Sequence, residues 1–369
     1  MKAYNNAYSR PRPSPDRLPL PLEGGGARFT RELPSNGAGV NYVRHHTLAR
    51  HESSATWEVV EKSLRKPLLY RSREARFYRH YAMLASCRKI SYPTLLKVVE
   101  TPRHSAVYSE FIDGVRPVRG KLLQDAAAGI AELEAVSSRY IASPPPGSGL
   151  DFWLMDFFRW PYLRHTRLNF QRFIGNLELA DISPATRQRL SSQLRILAPA
   201  LQRRLRRATR SRRCISHLDY AAKNMLVDDD QRLYLLDWSE VKVGRLGFDG
   251  GDFLAKLFSH TPLTRFDDLR QRFEEEYARV LTETHGSRGD LAVSAENRQT
   301  LFVMLSLWRC LQRRTIIAQT DSRSTEAWVA KLDYLLSASH SRPAMLEAPS
   351  GLRDALPSES RAPAIALSE

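Results

Sequence analysis

Residues 214–241 read CISHLDYAAKNMLVDDDQRLYLLDWSEV. His217, Asp219 and Asn224 stand there at the spacing H-x-D-x-x-x-x-N, a polar loop with one carboxylate able to act as a base and one amide oxygen able to meet a metal. The apolar run at 232–237, RLYLLD, then closes on Asp237. A carboxylate directly after a buried strand is held at a fixed depth, and so is any ion bound to it. The stretch between, MLVDDDQRLYLL, has an apolar run, an acidic turn and a second apolar run, which predicts a hairpin. Two strands joined this way bring Asn224 and Asp237 side by side, one oxygen ligand from each. Hard oxygen ligands suit Mg2+, which keeps waters and takes further ligands from phosphate oxygens. The constellation reads as a phosphoryl-transfer site.

HLDYAAKN followed by LLDWSEV resembles the catalytic loop and metal-binding segment of the aminoglycoside phosphotransferase and choline kinase group, small-molecule kinases with a protein-kinase-like fold. The resemblance implies Asp219 as catalytic base, Asn224 and Asp237 as metal ligands, and His217 as the residue that keeps the loop in shape. Protein kinases share the spacing but carry the metal Asp in a D-F-G triplet. Here Trp238 and Ser239 follow Asp237, and D-W is more typical of the small-molecule branch. Leu218 stands where Gly or Asn is common after the His, and Ala222-Lys223 where Pro-Gly is usual. Neither change removes a functional group. The implied architecture is α+β, a two-lobe kinase-like fold with a small antiparallel β N-lobe, a larger mainly helical C-lobe, and ATP in the cleft. It covers roughly residues 28–337.

The elements that must hold this site follow in chain order. Residues 1–26, rich in Pro, Arg, Ser and Gly, read as a mobile tail. An N-lobe is expected over 27–115. ARFTREL, VNYVRHHTLARHE and ATWEVVEKSL alternate apolar and polar residues as strands do. Gly37 and Gly39, between the first two, allow a tight turn whose N–H groups approach phosphates. Lys62 ends WEVVEK, with Lys66 as competitor. Glu74 lies twelve residues on, in the helix-like SREARFYRHYAML, with Glu58 and Glu61 as rivals for the lysine. A strand Lys paired with a helix Glu fixes an ammonium over the α- and β-phosphates of ATP. VVETPRHSAVYSEFIDGV supplies two strands and resembles an interlobe hinge, where adenine meets backbone groups from Glu110 to Ile112.

A helical C-lobe is expected over 116–338. It begins with the amphipathic LLQDAAAGIAELEAVSSRYI and the breaker PPPGSG at 144–149. Residues 150–173 mix eight aromatics with arginine, and a helix is predicted from Pro184 through Arg213, with Leu190, Leu194, Leu197, Leu201 and Leu205 on one face. GRLGFDGGDFLAKLF resembles the family's stretch after the metal Asp, in which an Asp opens a helix, where a carboxylate can cap the helix and accept a bond from the catalytic loop. Asp252 matches best, ahead of Asp249. Three helices are predicted over 265–337, and a disordered tail over 339–369.

The chain of 369 residues carries a net charge of +16 and is 42% hydrophobic, enough for a packed core. Ten arginines run from Arg187 to Arg213 with no acid among them, more than half of the excess charge. This stretch reads either as a solvated helix face or as a surface for an anionic substrate or an acidic membrane leaflet. No nucleic-acid-binding signature accompanies it, and no nucleic-acid partner is expected. Three scattered cysteines give neither a disulfide framework nor a zinc site, and the expected location is cytoplasmic, with a peripheral place at the inner membrane face as the variant. Three functions compete. The first is ATP- and Mg2+-dependent phosphorylation of a hydroxyl on a small molecule such as a sugar or amino alcohol. The second is phosphorylation of an anionic sugar or lipopolysaccharide-type glycolipid. The third is a nucleotide-binding scaffold, which would need a lost catalytic group, and none is lost. A binder of cationic aminoglycosides needs carboxylates, and residues 150–213 are poor in them.

Overall fold

The computed structural model describes residues 27–33, 40–49, 56–65, 74, 77–78, 81–100, 104–117, 119–143, 157–159, 166–285, 288–319 and 321–338. Gly37, Gly39, Lys66, the 144–149 breaker and both expected tails lie outside them.

The β-branched and aromatic runs form strands β1 (Ala27–Leu33), β2 (Val40–Ala49), β3 (Thr56–Arg65), β4 (Leu95–Glu100) and β5 (His104–Glu110). They pair antiparallel in the order β1-β2-β3-β5-β4. Strand parity decides which β3 side chain serves the site, because successive residues face opposite ways. Lys62 lies opposite Val107, which joins the main core together with Leu64. Glu61 faces the other side, where Tyr42, His46 and Tyr108 bond its carboxylate. Glu58 is taken by His45 and Thr47. Neither rival reaches Lys62.

The remainder is mostly helical. Helix α1 (Arg119–Ala142) carries Ala126, Ala127, Ile130, Ala131 and Leu133, all fully enclosed. Short side chains let neighbours approach α1 on several sides, so it becomes the axis of this part. Helices α2 (Thr166–Asn176) and α3 (Pro184–Ala208) follow, then α4 (Phe248–His260), α5 (Leu263–His285), α6 (Arg288–Cys310), the short α7 (Arg313–Ile317) and α8 (Ser322–Ala338). Ser183 caps α3 by accepting from Thr186 N–H, and Pro184 at the first position suits the start of a helix. The five expected leucines of α3 are buried. The helix is shorter than the sequence suggests: it ends at Ala208, where Thr209 and Arg210 turn, and Arg213 starts a strand.

Two small antiparallel ribbons carry the polar loop. Strand β6 (Arg213–Ser216) pairs with β9 (Lys242–Arg245), and β7 (Met225–Val227) with β8 (Leu233–Leu235), the expected hairpin. The hairpin is gripped from both edges. Val115 exchanges two backbone bonds with Val227 (2.9 and 2.8 Å), and Ser91 bonds Leu233 and Leu235 (2.7 and 2.9 Å).

Helix α4 packs against α6 at glycine positions. A Cβ on Gly251 would lie 2.7 Å from Arg298 O and 2.8 Å from Leu301 Cβ. Gly247 has φ of 91°, where only glycine is unstrained. Gly251→Ala would gain about 0.5–1 kcal/mol of helix propensity but overpack a backbone contact at about 1–3 kcal/mol, so packing wins. Urea unfolding should show a net loss of about 1–2 kcal/mol.

Candidate active site

The hairpin register brings the site together. Leu236 N–H donates to Asn224 O at 2.8 Å, which extends the β7–β8 pairing and sets Asn224 beside the Asp237 segment. Asp237 adopts a left-handed conformation (φ 59°, ψ 73°), uncommon for a residue with a side chain and tolerated best by Asn and Asp. Its carboxylate accepts from Ser239 N–H at 3.4 Å and from Lys62 Nζ at 2.6 Å. Trp238, fully buried, stacks on Phe77 (centroids 4.1 Å apart) and meets the His217 ring edge-on. The segment is therefore locked on both sides of the carboxylate.

Lys62 also donates to Glu74 Oε2 at 2.7 Å, while Glu74 Oε1 accepts from Trp238 N–H at 3.3 Å. One lysine thus ties together a β3 position, Glu74 and the end of the hairpin, 175 residues away. Burial pushes the Lys62 ammonium down, but the two carboxylates outweigh it and the net direction is up. Burial pushes Asp237 up, and Lys62 with Ser239 N–H outweighs that, so its pKa is lowered. Glu74 is raised by burial, and Lys62 draws it part of the way back.

The polar loop is held from beneath. His217 is fully buried. Its Nδ1 accepts from Asp219 N–H (3.2 Å), so Nε2 carries the proton and donates to Leu236 O at 2.9 Å. Burial lowers its pKa to about 4, so the ring is neutral at pH 7. Leu218 has φ of 60°, which gives a physical reason for the Gly or Asn common there. What holds Leu218 in that conformation is Asp249, whose two oxygens accept from His217 N–H (2.8 Å) and Leu218 N–H (2.7 Å). The expectation that Asp252 takes the loop bond is therefore corrected: Asp249 does. Glu134 of α1 sets Asp249 by accepting from its N–H and from Gly247 N–H (2.9 and 2.5 Å). Asp252, on the next turn of α4, faces Lys256 and Arg309 instead. Sequence reasoning missed Glu134 altogether, since no local spacing links it to residues 113 and 115 positions away.

Asp219 is the hub of the loop. Its Oδ2 accepts from Asn224 Nδ2 at 2.7 Å and lies 2.9 Å from Lys223, and its Oδ1 accepts from Lys256 at 2.8 Å. Burial raises its pKa, but the lysines outweigh burial and lower it to about 2. Because Asn224 Nδ2 is committed to Asp219, the amide oxygen Oδ1 is the atom left for a metal. Asn224 Oδ1 and the Asp237 carboxylate are a hard-oxygen pair that fits Mg2+. Lys256 was also missed. Its i,i+4 relation to Asp252 was the one available signal.

At the other end of the sheet, Glu110 N–H bonds Thr94 O and Phe111 N–H bonds Glu58 O (2.9 and 3.1 Å). Glu110 and Ile112 thus flank a residue fixed to β3. In the basic stretch, Arg187, Arg189, Arg207 and Arg212 pair with Glu178, Asp333, Glu296 and Asp290. Arg195, Arg203, Arg206 and Arg210 are exposed. No described helix is long and apolar enough to cross a membrane.

A family model described as the phosphotransferase enzyme family matches residues 51–286. No curated protein matches the chain significantly. Among solved structures, an aminoglycoside phosphotransferase from Alicyclobacillus acidocaldarius aligns over 84% of this chain and 91% of its own, at 13% identity and a TM-score of 0.52. Macrolide 2'-phosphotransferase MphH from Brachybacterium faecium (18% identity, 82% and 92% covered, TM-score 0.44) and choline kinase LicA from Streptococcus pneumoniae (13%, 85% and 94%, 0.43) are also similar. The fold is the expected α+β, protein-kinase-like one.

Proposed function

The chain belongs to the phosphotransferase enzyme family, and on that premise we propose that it moves the γ-phosphate of ATP to a hydroxyl of a small molecule in an Mg2+-dependent reaction. The observation that carries the reading is the Lys62 bridge, 2.7 Å to Glu74 and 2.6 Å to Asp237, beside a carboxylate held in the loop. Lys62, steadied by Glu74, holds the α- and β-phosphates. Gly37 and Gly39, which lie outside the described residues, keep the phosphate-loop role expected from their place in the sequence, and the adenine meets backbone between Glu110 and Ile112. Asn224 and Asp237 would hold Mg2+, which neutralises phosphate charge when bound. Asp219 orients the acceptor hydroxyl and accepts its proton, and His217 braces the loop without titrating near pH 7. Positioning and preorganised charge supply the rate in such chemistry.

Melting with and without Mg-ATP tests the reading. A ligand that binds only the folded state at 100 times its Kd stabilises by about 2.7 kcal/mol. The midpoint should rise in the wild type only when magnesium is present, and Asp237→Ala should abolish the rise. No rise in the wild type would sink the proposal and favour a scaffold that does not hold the nucleotide. The exposed arginines Arg195, Arg203, Arg206 and Arg210 support a second reading in which the acceptor is anionic or membrane-borne.

A further inference from the structure

The Asp219 carboxylate, the group to which an acceptor hydroxyl must come, is ringed by cations. Lys256 Nζ lies 2.8 Å from Oδ1, Lys223 Nζ lies 2.9 Å from Oδ2, and Asn224 Nδ2 shares Oδ2 at 2.7 Å. Of the roughly four lone-pair sites of a carboxylate, three are taken. Asp252 adds a second carboxylate, contacted by Lys256 at 2.8 Å and Arg309 at 2.9 Å. Three cations (Lys223, Lys256, Arg309) therefore face two carboxylates (Asp219, Asp252), which leaves one positive charge in excess. Exposure separates their roles. The Lys256 and Arg309 side chains are 22% and 23% exposed, whereas Lys223 is 61% exposed. Lys223 is the partner of Asp219 that can leave.

Resting on the phosphotransferase reading above, we propose that the acceptor is an anion with a carboxylate or phosphate near its reacting hydroxyl, bound by Lys223 and drawn in by the charge of Lys256, whose own three N–H groups stay on Asp219, Asp252 and Leu218 O. The anionic group draws the Lys223 ammonium away from Asp219 and frees an Oδ2 position for the hydroxyl, while Lys256 keeps Oδ1 fixed. One charge-assisted bond is exchanged for another, so the cost of uncovering the carboxylate is small. A neutral acceptor would be left the one Oδ1 site that Lys256 does not take, with nothing to draw Lys223 away. A cationic acceptor would meet the excess positive charge. In the transfer itself, the acceptor oxygen bonds to the γ-phosphorus as the bond to the β–γ bridging oxygen breaks. Its proton passes to Asp219, and ADP leaves with the electron pair of the broken bond.

The test follows the melting midpoint of the full chain at constant ionic strength, with Mg2+ and a non-hydrolysable ATP analogue present. The added probes are glycerol, glycerate, glycerol 3-phosphate, inorganic phosphate and choline. The anionic probes should raise the midpoint, and glycerol and choline should not. Lys223→Gln, at an exposed position, should weaken the anion effect about tenfold, as expected for one charge-assisted bond. Lys256→Gln should weaken it too, and Lys256→Arg should retain most of it. The inference is overturned if choline or glycerol alone raises the midpoint, if anions act equally on Lys223→Gln, or if no anion acts in a lysine-dependent way. The rise from Mg2+ and the analogue alone is read separately. Its absence removes the parent reading, whereas its presence without lysine-dependent anion binding removes only this inference.

Discussion

Asp237→Asn should fold normally and consume ATP at least about 10²–10³ times more slowly than the wild type, the size of loss seen when one preorganised electrostatic group is removed from a reacting centre. The substitution isolates charge from shape. Asparagine has the same size and also tolerates the left-handed backbone found at Asp237 (φ 59°). Its amide oxygen can still accept from Ser239 N–H and face Lys62. The loss is the negative charge that lowers the cost of holding a divalent cation beside phosphates. Stability should change little, because Lys62 keeps Glu74 at 2.7 Å and Glu74 is relieved of a like-charged neighbour. Circular dichroism and urea unfolding would establish the fold. ATP consumption by that folded variant near the wild-type rate would rule out Asp237 as a metal ligand.

Asp219→Asn should separate binding from chemistry. The variant should keep the magnesium-dependent melting shift with ATP and lose about 10²–10⁴-fold in turnover, the usual contribution of a positioned base. Nucleotide binding survives because neither Lys62 nor Asp237 contacts Asp219, and the amide oxygen of an asparagine there can still accept from Asn224 Nδ2 and so keep Asn224 Oδ1 free for the metal. A lowered midpoint shift together with lost turnover would instead show that Asp219 serves the nucleotide. The pH dependence has a definite sign. The Asp219 pKa is lowered from 3.8 to about 2, by Lys256 and Lys223 against the effect of burial. Its contribution to stability is therefore complete above pH 3.8 and is lost as the pH falls towards 2. The stability gap between wild type and variant should hold from pH 8 to pH 5 and close below pH 4, and wild-type turnover should show no acid limb from this group above pH 5.

What could be read from the chain was whatever is set by short spacing. His217, Asp219 and Asn224 come together because covalent geometry allows a loop of eight residues few ways to fold between β6 and β7. The hairpin that brings Asp237 alongside follows from two apolar runs around an acidic turn. Lys62 was legible as a strand residue and Glu74 as its candidate partner, but the choice of Glu74 over Glu58 and Glu61 was not. Glu58 and Glu61 are nearer in sequence than Glu74, and only the sheet excludes them: parity turns Glu61 to the other face, and Glu58, four residues along the same face, is taken by His45 and Thr47 of β2.

The support beneath the loop was decided by tertiary packing alone. Asp249 and Asp252 are three residues apart on one helix, and nothing local ranks them. The rotation of α4 does, and that is set by glycines pressed against α6 and by Glu134 of α1 accepting from the N–H groups of Gly247 and Asp249. The same rotation delivers Lys256 to Asp219, 37 residues away. The sequence by itself determined which functional groups this protein brings to phosphate chemistry, because their order and spacing are covalent. The tertiary structure decided which charges surround them, because a buried carboxylate or ammonium is stable only where the packing of other segments supplies its partner.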